Sequence, residues 1–102
     1  MITIDQIRED LTDIRYYYSM QKLFDSATKS VKAVAVLNKV EQYNAIMQNA
    51  PAKMYIIYVS LYVNNNSQAK LAENWGFTRE YVKELNQKLV EYLQSILNEE
   101  GR

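Results

Sequence analysis

Glycine and proline are almost missing from this chain, and that scarcity restricts what it can fold into more than any other feature. Among 102 residues there are two glycines and one proline, and none of the three stands between Met1 and Ala50. Sheets and barrels reverse direction at short intervals and need such residues at their turns. With the breakers absent and Leu, Ala, Glu, Gln and Lys abundant, the chain is predicted to be all-α, with about five helices. Hydrophobic residues make up 48% and charged residues 24%, a balance that sustains a packed core. The length suits one compact unit.

The helices can be placed from their caps and periodicities. Thr3 and Gln6 in TIDQ form a Thr-x-x-Gln capping box, with Asp5 favourably placed in the first turn. Ile4, Ile7, Leu11, Ile14 and Tyr18 then recur at spacings of three and four, continuing less regularly through Leu23 and Phe24 to an end between Asp25 and Ser30. This narrow seam resembles that of a coiled coil, and it is expected to serve as a homodimer interface. A second helix is predicted over Val31 to Gln48, with Val36, Leu37, Val40, Tyr43 and Met47 on its apolar face. Pro51 both stops that helix and opens the next. From Ala52 to Val63 the apolar run reads as helix, because Tyr55, Tyr58 and Tyr62 are spaced by three and four and a lone strand would have no partner. Residues 1–50 are thus expected to form an N-terminal helical hairpin, and residues 51–102 a second domain.

That second domain contains the stretch with most to say about function, QAKLAENWGFTREYVKELNQ from Gln68 to Gln87. The Asn64-Asn65-Asn66 run is a turn signal, Ser67 a cap for a short helix ending at Trp75, Gly76 a residue free to take positive φ, and Thr78 the cap of a last helix reaching about Leu97. Ala72 suits a close helix crossing. Leu71, Val82 and Leu85 are expected beneath it, with Trp75 and Phe77 filling the angle between the helices. Together these positions spell a helix-turn-helix.

Several function classes are excluded by composition. The chain has no histidine and no cysteine, so it has neither a histidine base nor a thiolate site. Glu9, Asp10 and Asp13 read as a solvated helix face more readily than as a metal or acid-base cluster, and Tyr16, Tyr17 and Tyr18 point in different directions and cannot make one stacking platform. No catalytic residue, cofactor or metal is expected. The chain lacks an apolar run long enough for a membrane span and opens on a polar, acidic segment, so a cytoplasmic location is expected.

The run from Met54 to Gln94 resembles the region-4 helix-turn-helix of sigma-70-type factors, and it is similar to small phage-encoded regulators of the ArpU type that carry that module. The matching residues are the helix before the Asn loop, Ser67-Gln68, Leu71-Ala72, Gly76-Phe77-Thr78, Val82 and Leu85. The resemblance implies a bacterial or phage transcriptional regulator that binds double-stranded DNA and also touches RNA polymerase. For a helix of this type in the major groove, the first turns face base edges and offer Thr78, Arg79, Glu80, Lys83, Glu84 and Gln87. Arg79 suits guanine, Gln87 adenine and Glu80 cytosine, while Lys83 suits phosphate. Ser67, Gln68 and Lys70 would hold the backbone. With 12 basic and 12 acidic residues, the non-specific electrostatic contribution is expected to be weak. The competing expectation is a protein-interaction module that uses the same fold to contact RNA polymerase or another protein.

Overall fold

The computed structural model describes residues 1–22 and 31–100. Every regular element among them is helical, in agreement with the all-α expectation. Helix α1 (Ile4–Ser19) begins with the capping box in place: Thr3 Oγ1 accepts from the Gln6 N–H at 3.2 Å, and the Gln6 side chain accepts from the Thr3 N–H at 2.9 Å. It ends earlier than its periodicity suggested. Met20 leaves the helical region at φ −123° and ψ 30°, and the Ser19 hydroxyl bonds back to the Tyr16 carbonyl at 2.8 Å. A serine that binds its own preceding turn competes with helix continuation. The expected extension through Leu23 and Phe24 to Ser30 lies outside the described residues.

Helix α2 (Val31–Met47) ends ahead of Pro51 as expected, and buries Ala33, Val40, Tyr43, Ile46 and Met47 while Val36 and Leu37 are half-buried. Pro51 opens α3 (Ala52–Tyr58), its carbonyl accepting from the Tyr55 N–H at 3.0 Å. The helix then widens into a π turn (Val59–Val63), closed by the Asn64 N–H on the Val59 carbonyl at 2.8 Å. The extra residue in that turn brings Ser60 inside beside Leu61. Asn66 caps the widened end, with its N–H on the Ser60 carbonyl at 2.9 Å and its side-chain amide on Ser60 Oγ at 3.2 Å. Asn65 takes φ 58°, the left-handed conformation that asparagine tolerates.

Helices α4 (Gln68–Trp75) and α5 (Arg79–Glu100) follow. Helix α5 continues past the expected end near Leu97, because Asn98 is fastened to the start of the chain: the Ile2 N–H donates to its side-chain oxygen at 2.9 Å. Gln94 donates to the Ile2 carbonyl at 3.2 Å. A tail tied in this way does not fray as a free one does.

One apolar cluster joins all these elements. It contains Ile7, Leu11, Ile14 and Tyr17 of α1, Val40, Tyr43, Ile46 and Met47 of α2, Ile57, Tyr58 and Leu61 around the π turn, Leu71 and Ala72 of α4, and Val82, Leu85, Leu89, Val90 and Leu93 of α5. The seam of α1 is therefore covered by its own chain, which corrects the reading of that seam as an interface between two copies. Its hydrophobic periodicity was real, but the surface that buries it is the bundle formed by the π turn, α2 and α5. Three tyrosine hydroxyls at the margins of the core are satisfied by side chains. Tyr43 donates to Asp10 at 2.6 Å, Tyr58 to Asn44 at 2.7 Å and Tyr62 to Asn86 at 2.6 Å.

Candidate nucleic-acid interface

The two helices at the C-terminal end meet at a turn whose local chemistry is visible in the sequence. Ser67 Oγ accepts from the Lys70 N–H at 3.0 Å and starts α4. Gly76 ends it at φ 69° and ψ 27°, and the Phe77 N–H reaches back to the Ala72 carbonyl at 2.9 Å. That bond, made across a left-handed residue, is the closing bond of a Schellman motif. Thr78 Oγ1 then accepts from the Tyr81 N–H at 3.1 Å and starts α5. Leu71, Ala72, Val82 and Leu85 are buried between the helices, as their spacing predicted.

Trp75 departs from the expectation. It does not fill the angle between the helices: the residue is 52% exposed, and its ring stacks on Phe77 with centroids 6.3 Å apart. Phe77 is half-buried and meets Tyr81 edge-on at 5.0 Å, so Phe77 alone closes the corner and Trp75 lies over it. The sequence could not distinguish these roles, since both aromatics flank Gly76.

The predicted contact residues fall into three groups. Ser67 and Lys70 are exposed and Gln68 half-exposed at the start of α4. Thr78, Arg79, Glu80 and Lys83 are exposed on the first turns of α5. Among the described residues, Arg79, Glu80 and Lys83 enter no ion pair or side-chain hydrogen bond, so their charged ends face solvent. Further along, Glu84 pairs with Lys88 at 3.6 Å. Gln87, expected to address adenine, is turned elsewhere: its side-chain oxygen accepts from Arg8 of α1, and its amide lies 3.5 Å from Glu91. A side chain held from a neighbouring helix is not free to read a base, because that contact must first be broken.

Sequence reasoning missed three residues beside this surface. Arg8 reaches Gln87, and Arg15 donates through Nε to the side-chain oxygen of Asn65, in the loop before α4. Asn86 is buried on α5 and accepts the Tyr62 hydroxyl. Burial pushes the Tyr62 hydroxyl above its ordinary titration range, opposed by the Asn86 hydrogen bond and by the positive charges of Arg8 and Arg15. The only clue in the sequence was that Arg8 and Arg15 share one face of a helix at a spacing of seven.

The acidic residues of α1 also have a structural assignment. Asp10 and Asp13 hold Lys39 of α2 at 3.0 and 3.2 Å, and Asp10 also accepts from Tyr43. The solvated-face reading therefore holds for Glu9, which is exposed, and is corrected for Asp10, which is largely covered. Among the described residues no group of three acidic, histidine or cysteine side chains is placed to hold a metal ion. Likewise no helix is long and apolar enough to cross a membrane. Comparison with known protein families, curated proteins and solved structures gives no match.

Proposed function

We propose that the chain is a sequence-specific, DNA-binding transcriptional regulator, of the phage or prophage kind that its resemblance to sigma region 4 implies, and that α5 enters the major groove. The observation that carries this reading is the presentation of Arg79, Glu80 and Lys83. These unpaired charged side chains stand on the opening turns of a helix whose direction is set by the Gly76 turn and the buried crossing at Ala72. A helix offered by its N-terminal turns, with a second helix braced behind it, has the geometry of groove recognition. Arg79 is the residue suited to guanine O6 and N7, Glu80 to cytosine N4, and Lys83 to phosphate. Ser67, Gln68, Lys70 and Thr78 flank them as backbone contacts. Gln87 serves this reading indirectly, by holding Arg8.

Selection of binding sites from random duplexes, followed by affinity measurement on the winning sequence, tests the proposal. Arg79→Ala should weaken that binding by roughly 1 to 3 kcal/mol while leaving random-sequence binding nearly unchanged. A chain that retains no duplex at low salt sinks the reading.

A second reading, contact with RNA polymerase or another protein, is favoured by one observation: Trp75 is exposed and lines a surface cleft together with Tyr55, Ser60 and Asn74. Exposed tryptophan is a common anchor of protein interfaces. Capture of purified RNA polymerase that survives nuclease treatment and is lost in Trp75→Ala supports it; capture that vanishes with the DNA counts against it.

A further inference from the structure

The strongest unassigned feature of the surface is the arginine pair of α1. Arg8 and Arg15 are seven residues apart, which places them on one face and about 10 Å apart along the axis. Both are exposed; Arg8 is anchored by one N–H to α5, and Arg15 by one N–H to the loop that leads into α4. Arg8 uses Nη2 on Gln87, in the third turn of α5, and Arg15 uses Nε on Asn65, two residues before the Ser67 cap. A guanidinium carries five N–H donors, so most of each group remains available. Among the described residues neither arginine enters an ion pair, and Asp10 and Asp13 on the same helix are engaged with Lys39.

The charge count gives the pair its significance. Between Gln68 and Gln87 the cations Lys70, Arg79 and Lys83 are matched by Glu73, Glu80 and Glu84. The Gln68–Gln87 segment alone is therefore neutral, a poor basis for binding a polyanion whose affinity grows with phosphates neutralised. Arg8 and Arg15 come from sequence positions 79 and 50 residues away from their partners and supply the missing positive charge. Held by Gln87 and Asn65, they flank the unit at two points, one beside α5 and one beside the start of α4.

We propose that Arg8 and Arg15 form a phosphate clamp, each binding a backbone phosphate of the duplex that α5 reads, with Gln87 and Asn65 as positioning residues that hold the guanidinium groups. The clamp rests on the DNA-binding reading above and extends it to a helix outside the bihelical unit. Phosphate contacts fix register without carrying sequence information. Loss of the clamp must therefore weaken binding to every duplex alike.

The test uses the full chain, the duplex obtained by selection and a random-sequence duplex, with affinity followed as a function of salt. Arg8→Gln and Arg15→Gln should each flatten the slope of log affinity against log salt by about 0.9, and the double variant by about twice that, on both duplexes. The affinity ratio between the duplexes should stay constant. Arg8→Lys and Arg15→Lys keep the charge and should keep the slope, which separates phosphate binding from a merely structural role. A double glutamine variant with the native slope overturns the clamp while leaving the effect of Arg79→Ala, and so the reading, intact. Loss of the ratio between duplexes without loss of slope also overturns it. A native chain that binds neither duplex overturns both.

Discussion

Trp75 and Leu71 show how residues of similar hydrophobicity take unequal roles. Leu71 is fully buried between α4 and α5, whereas Trp75 is 52% exposed and meets mainly the Phe77 ring. Leu71→Ala should therefore cost about 2 to 5 kcal/mol, and Trp75→Ala less than about 1 kcal/mol, in urea denaturation. The reverse order would mean that the tryptophan is a core residue. The buried tyrosines set a pH limit. Burial, first of all, holds Tyr43, Tyr58 and Tyr62 protonated above their ordinary value of 10.0, and for Tyr43 the Asp10 carboxylate adds to the effect. In the unfolded chain these phenols ionise near pH 10, while in the folded chain they keep their protons. The folded state then binds more protons, so stability is complete below that pH and falls as pH rises above it. Urea midpoints measured from about pH 8 to pH 12 should show this fall. Tyr58→Phe, which cannot ionise, should flatten it even though the loss of the Asn44 hydrogen bond lowers the starting stability.

At the scale of elements, the turn between α4 and α5 depends on one backbone conformation. A Cβ added at Gly76 would meet nothing within 4 Å, so the only penalty of Gly76→Ala is the strain of φ 69°. That strain is roughly 1 to 2 kcal/mol, and Gly76→Asn should recover part of it, both read by thermal melting. This turn, the Thr3, Ser67 and Thr78 caps and the boundary at Pro51 were all legible in the sequence, because each is a local event decided within a few residues. The π turn was not legible as such: Val59 to Val63 carries a helical pattern, and the widening depends on Asn66 wrapping back onto Ser60. The same distinction divides the candidate site. Arg79 and Lys83 could be placed outward from periodicity alone, whereas the diversion of Gln87 to Arg8 joins residues 79 positions apart. Periodicity marks which face of a helix is buried and says nothing about which neighbour covers it, and the burial of the α1 seam is the clearest instance.

For the whole molecule, the consequence of that burial is an expectation about assembly. Ile7 and Ile14 are 0% exposed and Leu11 1% within a single copy. To pair two chains through this seam, α1 would have to leave the π turn, α2 and α5, breaking the Tyr43–Asp10 bond, the Lys39 ion pairs and the anchorage of Ile2 on Asn98. Any such dimer would begin from the exposed core of an opened monomer. The full chain should therefore have the mass of one copy, 12.0 kDa, in light scattering at micromolar concentration. Its melting temperature should not change with concentration, since only association that is selective for the folded state makes melting depend on dilution. A single copy on DNA can neutralise only the phosphates its own cations reach, which makes Arg8 and Arg15 a larger share of the total than they would be in a dimer. A melting temperature that rises with concentration would show that copies associate. A dimer whose loss accompanies Ile7→Ala, in a variant that remains folded, would restore the seam as an interface and remove α1 from its place beside α5.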